Sequence, residues 1–201
     1  MPRQKSDAGG RAEQNADKIL TQKYSLADEI GRGASGTVYK ALNLQTGAFV
    51  AIKKVALRGE SKDQLLLLQR EIDLLKLLKN PYIVEYRESF NTSETLYIVM
   101  EFIENGSLAT IVKKFGRLPE RLLVAYIPQV LEGLAFLHEQ GVVHRDIKGA
   151  NILISTGGRV KLADFGVAAK TESGLDTQAN SVVGTPYWMA PEVCASSSST
   201  G

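Results

Sequence analysis

Cysteine is almost absent from this chain: the 201 residues contain one, Cys194, so an internal disulfide is excluded. A single thiol fits a reducing compartment. Long apolar runs are also missing, since no stretch reaches the roughly 18 residues of a membrane span. Residues 1–18 are polar, unlike a secretory signal, and Pro2 excludes N-myristoylation. These absences predict a cytoplasmic protein without a membrane partner.

An excess of charge of either sign is lacking as well. Lys and Arg number 24 against 22 Asp and Glu, so the net charge is only +2. This balance gives no electrostatic basis for binding nucleic acid. The hydrophobic fraction of 44% and the charged fraction of 23% are typical of a globular chain. The length predicts one or two domains.

The order of β-prone and helical segments predicts an α+β fold. Residues 1–22 have few large apolar side chains and are predicted to be a flexible tail. Short β-prone runs between Tyr24 and Val55, separated by the cluster Gly31–Gly36, predict antiparallel strands. Two further strand-like runs follow at 83–90 and 95–102.

Two long helices are predicted in addition. Leucines at helical spacing predict a helix over 61–79, which Asn80-Pro81 ends. A second helix is expected from Pro119 to about Gln140, because proline suits the first turn and Gly141 the stop. The remaining predicted pieces are short strands at 151–154 and 159–163, and a disordered end at 196–201.

The first candidate site is a glycine-rich segment, Ile30-Gly31-Arg32-Gly33-Ala34-Ser35-Gly36-Thr37-Val38. Glycines let backbone N–H groups approach a phosphate closely. A dinucleotide-binding fingerprint would need a following helix and an acidic residue about 20 positions on. Here a strand pattern follows over 38–42, and Lys53 stands near that distance. The segment is therefore either a phosphate-binding loop of another kind or a flexible turn.

Lys53 is the second candidate, because Phe49, Ala51 and Val55 share its face of an alternating strand. A lysine among apolar neighbours requires an anionic partner unless its ammonium reaches water. Glu71 on the leucine-rich helix is a candidate partner. An exposed helical glutamate is the alternative for that residue.

The most specific pattern consists of two polar segments at strand ends, His144-Arg145-Asp146-Ile147-Lys148-Gly149-Ala150-Asn151 and Asp164-Phe165-Gly166. Metal-assisted phosphoryl transfer needs these side-chain types. Asn151 and Asp164 offer oxygen ligands for a hard cation such as Mg²⁺. Asp146 can accept a hydroxyl proton, and Lys148 can neutralise charge on the transferred group.

A third polar segment, Gly184-Thr185-Pro186-Tyr187-Trp188-Met189-Ala190-Pro191-Glu192, follows a loop rich in hydroxyl groups. The hydroxyl side chains of this loop are Thr171, Ser173, Thr177 and Ser181. Phosphorylation can order such a loop against a basic residue.

Taken together, these patterns resemble the protein kinase family over about Tyr24 to Glu192. Lys148 is typical of the serine/threonine class. Segments 146–153 and 184–193 resemble the STE group. Three further segments, 71–76, 104–109 and 130–134, are similar to the epsilon-type MAP kinase kinase kinases and the septation kinases.

This resemblance implies a protein-kinase-like fold with a kinase domain over 23–195. Its β-rich N-lobe spans about 23–103, and part of a helical C-lobe spans about 104–195. Kinase domains of the family continue past Glu192, so the domain is expected to be truncated after its activation segment. The implied function is serine/threonine phosphorylation of a protein, such as a downstream kinase in a MAP-kinase-like cascade. The alternative is a catalytically impaired ATP-binding or interaction fragment.

The resemblance also assigns ATP and Mg²⁺ as cofactors. The residues implied to bind ATP are Ile30, Gly31, Arg32, Gly33, Ala34, Ser35, Gly36, Thr37, Val38, Ala51, Lys53, Met100, Glu101, Ile103, Leu153 and Asp164. Within this set, Lys53 holds the α- and β-phosphates and pairs with Glu71, and Met100 is the gatekeeper.

The family's catalytic roles fall on the polar segments. Asp146 is the implied base, Lys148 contacts the γ-phosphate, and Thr185 bonds both of them. Asn151 and Asp164 are the implied magnesium ligands, and His144 is implied to be structural. Ser181, with Thr177 as runner-up, is the predicted activating phosphorylation site, whose phosphate would contact Arg145.

Overall fold

The computed structural model of the protein describes residues 20, 22–33, 36–57, 62–92, 94–164, 169–170 and 185–192. Their contacts define two units. One contains the residues up to Leu77 together with Glu85–Phe102, and the other contains Leu78–Val84 and the residues from Ile103 onward. Segment 78–84 joins the second unit because Leu162 N donates to Tyr82 O at 2.8 Å and Val84 N donates to Leu162 O at 2.9 Å.

The first unit is built on an antiparallel sheet, as the alternating runs predict. Its strands are β1 (Tyr24–Gly33), β2 (Gly36–Asn43), β3 (Phe49–Ala56), β4 (Tyr86–Asn91) and β5 (Thr95–Glu101). They lie in the order β1-β2-β3-β5-β4. The turn between β2 and β3 is closed by the Asn43 side chain, whose Oδ1 accepts hydrogen bonds from Gln45 N and Thr46 N.

The core of this unit lies on one side of the sheet. Its buried residues are Tyr24, Ala41, Val50, Ile52, Tyr97 and Val99. Phe90 stacks on the rings of Tyr24 and Tyr97, with centroid distances of 6.4 and 5.2 Å. Lys23 also binds Glu88 on β4, with Nζ 2.6 Å from Oε1, so the start of β1 is fastened to the far edge of the sheet.

Helix α1 (Lys62–Leu77) confirms the helix predicted over 61–79. It buries Ile72 and Leu75, whose spacing of three residues places them on one face. The helix ends before Asn80-Pro81, because the residue before a proline is disfavoured in the helical region.

The second unit contains the other helices and four short strands. The elements are α2 (Leu108–Phe115), α3 (Glu120–Glu139), β6 (Val142–Val143), β7 (Ile152–Ile154), β8 (Val160–Leu162) and β9 (Ala169–Lys170). Strands β7 and β8 form one antiparallel pair, and β6 and β9 form another. Buried Leu137 of α3 and Val142, Val160 and Leu162 of the strands form the apolar interior.

The sequence reasoning missed helix α2. Its signals are local: Ser107 accepts a hydrogen bond from Thr110 N as N-cap, and Gly116 ends the helix at φ 78. None of its residues is buried. In the sequence, however, Leu108, Ile111, Val112 and Phe115 follow helical spacing, so the periodicity that indicates this helix was present and was overlooked.

Pro128 lies inside α3, where a proline costs roughly 3 kcal/mol and kinks the helix. The neighbouring Gln129 side chain forms hydrogen bonds on both sides of this turn. Its Nε2 donates to Ala125 O at 2.9 Å and to Gly158 O at 3.3 Å, and its Oε1 accepts from Val160 N at 3.0 Å. Gln129 thus ties the proline-containing turn of α3 to the β7–β8 hairpin.

Candidate active site

In the first unit, the predicted nucleotide-binding side chains share one face of the sheet. Val38 on β2 pairs with Lys53 on β3, and Ala51 pairs with Met100 on β5. Because strand side chains alternate, these four side chains lie on the same face. Ala51 and Lys53 are buried, at 8% and 9% exposure. Lys53 is thus a buried cation on the face that it shares with Val38, Ala51 and Met100.

The proposed pairing of Lys53 with Glu71 stays a prediction. The backbone of Glu71 lies in α1, but its side chain is outside the described residues. On the neighbouring strand, the Glu101 side chain accepts a hydrogen bond from Glu85 N at 2.7 Å, and Glu101 N donates to Glu85 O at 2.9 Å. These two bonds fix the end of β5, which carries Met100 and Glu101 of the implied ATP-binding set.

The glycine-rich segment forms the junction of β1 and β2. Gly31 pairs with Val38, and Gly33 pairs with Gly36, while Ala34 and Ser35 lie outside the described residues. Arg32 is held by Glu29 through two hydrogen bonds, of 3.0 Å from Nε and 2.6 Å from Nη2. Hydrogen bonding to Arg32 keeps the pKa of Glu29 below its ordinary value.

Gly36 is the glycine of this segment that the backbone requires. Its φ is 131, and a Cβ placed there would lie 2.2 Å from Lys54 O, whereas a Cβ on Gly33 meets nothing within 4 Å. Gly36→Ala is therefore expected to lower the free energy of unfolding by at least about 1–3 kcal/mol. Chemical denaturation measures this, with Gly33→Ala as the matched control. Equal unfolding midpoints for the two variants would contradict the expectation.

In the second unit, the predicted catalytic segment 144–151 lies between β6 and β7, and Asp146 is contacted by two side chains of this segment and by Thr185. Lys148 Nζ donates to Asp146 Oδ2 at 2.8 Å, and Asn151 Nδ2 donates to the same oxygen at 3.0 Å. Thr185, 39 residues further on, donates from Oγ1 to Asp146 Oδ1 at 2.6 Å. Lys148 Nζ also donates to Thr185 Oγ1 at 2.6 Å. Both carboxylate oxygens of Asp146 are thereby held in place.

These contacts decide the charge of Asp146. Partial burial raises the pKa of its carboxyl, but hydrogen bonds from Lys148, Thr185 and Asn151, together with the Lys148 charge, outweigh this effect. The pKa consequently lies below its ordinary value, and Asp146 is an ionised acceptor at neutral pH. A carboxylate in this state can accept a proton from a hydroxyl group that reacts nearby.

The His144 side chain contacts the backbone of Asp146. The imidazole is 1% exposed, with Nε2 3.1 Å from Ala163 O, and its Nδ1 accepts from Asp146 N at 3.4 Å. These partners assign the proton of the neutral ring to Nε2. Burial lowers the pKa of His144 and outweighs the opposing effects of the Ala163 carbonyl and the Asp146 and Asp164 carboxylates. His144 is accordingly a neutral, positioning residue.

Asn151 and Asp164 offer an oxygen donor set that fits Mg²⁺. The Asn151 amide nitrogen donates hydrogen bonds to Asp146 O and Oδ2. The amide oxygen of Asn151, Oδ1, therefore points away from these two bonds. Ala163 N donates to Asn151 O at 2.9 Å and so brings Asp164 alongside. Within the described ranges no group of three or more His, Cys, Asp or Glu side chains could hold a metal. Two protein oxygens with substrate phosphates suit magnesium better than a closed protein cage.

Two residues of the site have left-handed backbone conformations, Arg145 at φ 65 and Asp164 at φ 64. Non-glycine residues adopt this region at a cost of about 1–2 kcal/mol. Such strain concentrates at functional sites. Arg145 directly precedes Asp146, and its left-handed conformation is a feature that the sequence did not reveal.

The other predicted residues are less closely described. Ile103 is buried at 7% exposure and its carbonyl accepts from Gly106 N at 3.4 Å. Leu153 pairs with Lys161 in the β7–β8 hairpin. The predicted phosphorylation sites, Ser181 and Thr177, lie outside the described residues, so their role stays a prediction.

Comparison with known families identifies the class of protein. Residues 24–201 match the protein kinase domain family, and the chain belongs to this family. The α+β fold, with its antiparallel sheet followed by helices, agrees with this assignment and confirms the predicted fold class. None of the helices in the described part of the chain has the length and hydrophobicity of a membrane-spanning segment.

The most informative relatives fall into two groups. MAP3K epsilon protein kinase 1 of Arabidopsis thaliana is 58% identical over 178 residues, which are 88% of this chain and 13% of that protein. Cytokinesis protein sepH of Emericella nidulans is 54% identical over 184 residues, 92% of this chain and 13% of its own length. Cell division control protein 7 of Schizosaccharomyces pombe is 53% identical over 175 residues, 87% of this chain and 16% of that protein.

These similarities confirm the predicted serine/threonine kinase class and the resemblance to epsilon-type and septation kinases. The chain spans 13% to 16% of the length of these three relatives.

Proposed function

We propose that this kinase domain transfers the γ-phosphoryl group of ATP to a serine or threonine hydroxyl of a protein. The observation that supports this most directly is the Asp146 carboxylate, which accepts a hydrogen bond from the Thr185 hydroxyl at 2.6 Å. A substrate serine or threonine presents the same chemical group. Asp146 is therefore suited to receive the proton of an attacking hydroxyl.

In the proposed reaction, the acceptor oxygen attacks the γ-phosphorus and forms a new P–O bond. The bond to the oxygen that bridges the β- and γ-phosphates breaks, ADP leaves, and the hydroxyl proton passes to Asp146. Because the transition state is loose, positioning and charge stabilisation supply most of the acceleration. Lys148, which contacts both Asp146 and Thr185, is placed to stabilise charge on the transferred group.

The other predicted residues of each unit have proposed roles of their own. Asn151 and Asp164 would hold Mg²⁺, which when bound neutralises charge on the phosphate oxygens. Lys53 would contact the α- and β-phosphates. The glycine-rich segment would donate backbone N–H groups to the phosphates, and the side chains of Val38 and Ala51 would pack on adenine.

We further propose a place in a MAP-kinase-like cascade, with a downstream kinase as the substrate. The names of the relatives, a MAP3K and proteins of cytokinesis and cell division, support a signalling role. A phosphate on Ser181, or on Thr177, would add about −1.5 to −2 charge that Arg145 could bind.

Thr185 provides a sharp test of the proposed function. Thr185→Ala removes a donor to Asp146 and an acceptor for Lys148, and each bond involves a charged group. Transfer of label from γ-labelled ATP to a protein acceptor should fall about ten- to a hundredfold. Thr185→Ser keeps the hydroxyl and should retain most of the rate. A wild-type chain that binds Mg-ATP but labels no serine or threonine would contradict the proposal and favour an ATP-binding fragment.

A further inference from the structure

We propose that Lys40 is a positioning residue for the adenine base, because its ammonium holds the Phe102 ring at the end of the nucleotide-binding face. Lys40, Phe49 and Phe102 form what we call the cation–ring cluster. All three residues belong to the first unit. The inference rests on the proposed ATP site and concerns how tightly that site binds the base.

The cation–ring cluster lies on the same face of the sheet as the side chains that are proposed to pack on adenine. Lys40 of β2 pairs directly with Ala51 of β3, and Phe49 stands two residues before Ala51 on the same face. Phe102 comes two residues after Met100, which also pairs with Ala51. The cluster therefore adjoins the adenine-binding side chains at the place where β5 ends.

Two aromatic rings surround the Lys40 ammonium. Its Nζ lies 3.9 Å from the centroid of the Phe49 ring and 4.9 Å from the centroid of the Phe102 ring. Both distances are within the roughly 6 Å over which a ring face attracts a cation. The two rings are tilted by 59° with their centroids 6.3 Å apart, so one ammonium contacts both of them.

The rings are also the partners that the structure provides for the Lys40 charge. The Lys40 side chain is half-buried beside Ala51, and none of the ion pairs among the described residues includes it. A cation in such a place requires a compensating group. The ammonium is therefore directed at the rings of Phe49 and Phe102.

Phe102 connects the cation–ring cluster to the base. It is the first residue after β5, where the ladder of hydrogen bonds ends, and it directly follows Glu101 of the implied ATP-binding set. Its contacts with Lys40 and Phe49 hold its ring in place before a ligand arrives. Without the ammonium, a base that packs on Ala51 would have to order this ring on binding, and ordering a side chain lowers affinity.

The test is calorimetric titration of the 201-residue chain with adenosine and, separately, with Mg-ATP. Lys40→Met removes the charge but keeps an unbranched stem, and it should weaken the binding of both ligands by the same factor, about three- to fivefold. Lys40→Arg keeps a cation that stacks on rings and should retain the wild-type affinities. Because adenosine has no phosphate, a loss confined to Mg-ATP would show that Lys40 attracts phosphate and would overturn the proposal.

Lys54 offers a matched control, because its Nζ also lies over two rings, 5.9 Å from the Tyr39 centroid and 5.6 Å from the Tyr97 centroid. As the neighbour of Lys53 on β3, it lies on the opposite face of the sheet. Lys54→Met should leave both affinities unchanged, and circular dichroism verifies that the variants fold. Equal losses in Lys54→Met and Lys40→Met would assign the effect to the sheet as a whole and overturn the role of the cluster.

A double-mutant cycle with Phe102→Leu tests the contact itself. Once the ring is removed, Lys40→Met should cause no further loss of adenosine affinity. Additive losses would overturn the proposal, and so would a wild-type chain that binds no adenosine. Adenosine binding that depends on Lys40 in a chain that transfers no phosphate would contradict the proposed function alone.

Discussion

Replacing Asp146 by asparagine is expected to lower turnover about 10²- to 10⁴-fold while nucleotide affinity stays the same. Asparagine preserves the shape of the side chain and one acceptor oxygen, but it cannot take up the proton of an attacking hydroxyl. The site is built around this charge, since Lys148 and Thr185 both donate to the carboxylate. Because its partner is the acceptor hydroxyl, ATP binding does not depend on it.

Two measurements separate these effects: the single-turnover rate of phosphoryl transfer, and the dissociation constant for Mg-ATP without acceptor. Asp73→Asn is a matched control, because Asp73 Oδ1 lies 2.8 Å from Lys76 Nζ, the separation between Asp146 and Lys148, but is exposed on α1. Turnover by Asp146→Asn equal to that of the control would remove Asp146 from the role of base.

Asp164→Asn is expected to abolish detectable Mg-dependent transfer and to weaken Mg-ATP binding, because a carboxylate ligand of the cation is lost. The backbone conformation at position 164 makes asparagine a suitable replacement, because it adds no strain of its own. Asp164 has φ 64, and asparagine tolerates the left-handed region as readily as aspartate does. Alanine at the same position would add backbone strain to the loss of the ligand.

The measurement for Asp164→Asn is the affinity for ATP with and without magnesium. Wild type should bind ATP more tightly when Mg²⁺ is present, and the variant should lose most of this difference. Asp146→Asn should keep it, which distinguishes a metal ligand from a proton acceptor. An unchanged magnesium dependence in Asp164→Asn would contradict the assignment of Asp164 as a ligand.

The sequence was sufficient for those parts of the site that are local in the chain. Asp146, Lys148 and Asn151 lie within six residues, and their residue types and order alone indicate their chemistry. Thr185 was assigned by resemblance, and only the fold shows that it closes a hydrogen-bonded triangle from 39 residues away. The separation of 39 residues in the sequence does not show that Thr185 lies within hydrogen-bond distance of Asp146.

Other features depend on backbone geometry or on packing. The left-handed conformation at Arg145 has no signature in its side chain. The role of Gln129 beside Pro128 also emerged only from the structure, because its partner Val160 is distant in sequence. In each case the deciding interaction is absent from the local residue pattern.

The buried imidazole of His144 makes the catalytic segment sensitive to acid. Its pKa is lowered in the folded protein from an ordinary value of 6.5, so below about pH 6.5 the unfolded chain binds more protons than the folded one. The free energy of unfolding therefore falls as the pH drops from 6.5 towards the folded-state pKa, and is insensitive to this group at higher pH. Protonation of Nδ1 also removes the acceptor for Asp146 N. Acidification would thus release the proton acceptor of the reaction from its backbone anchor.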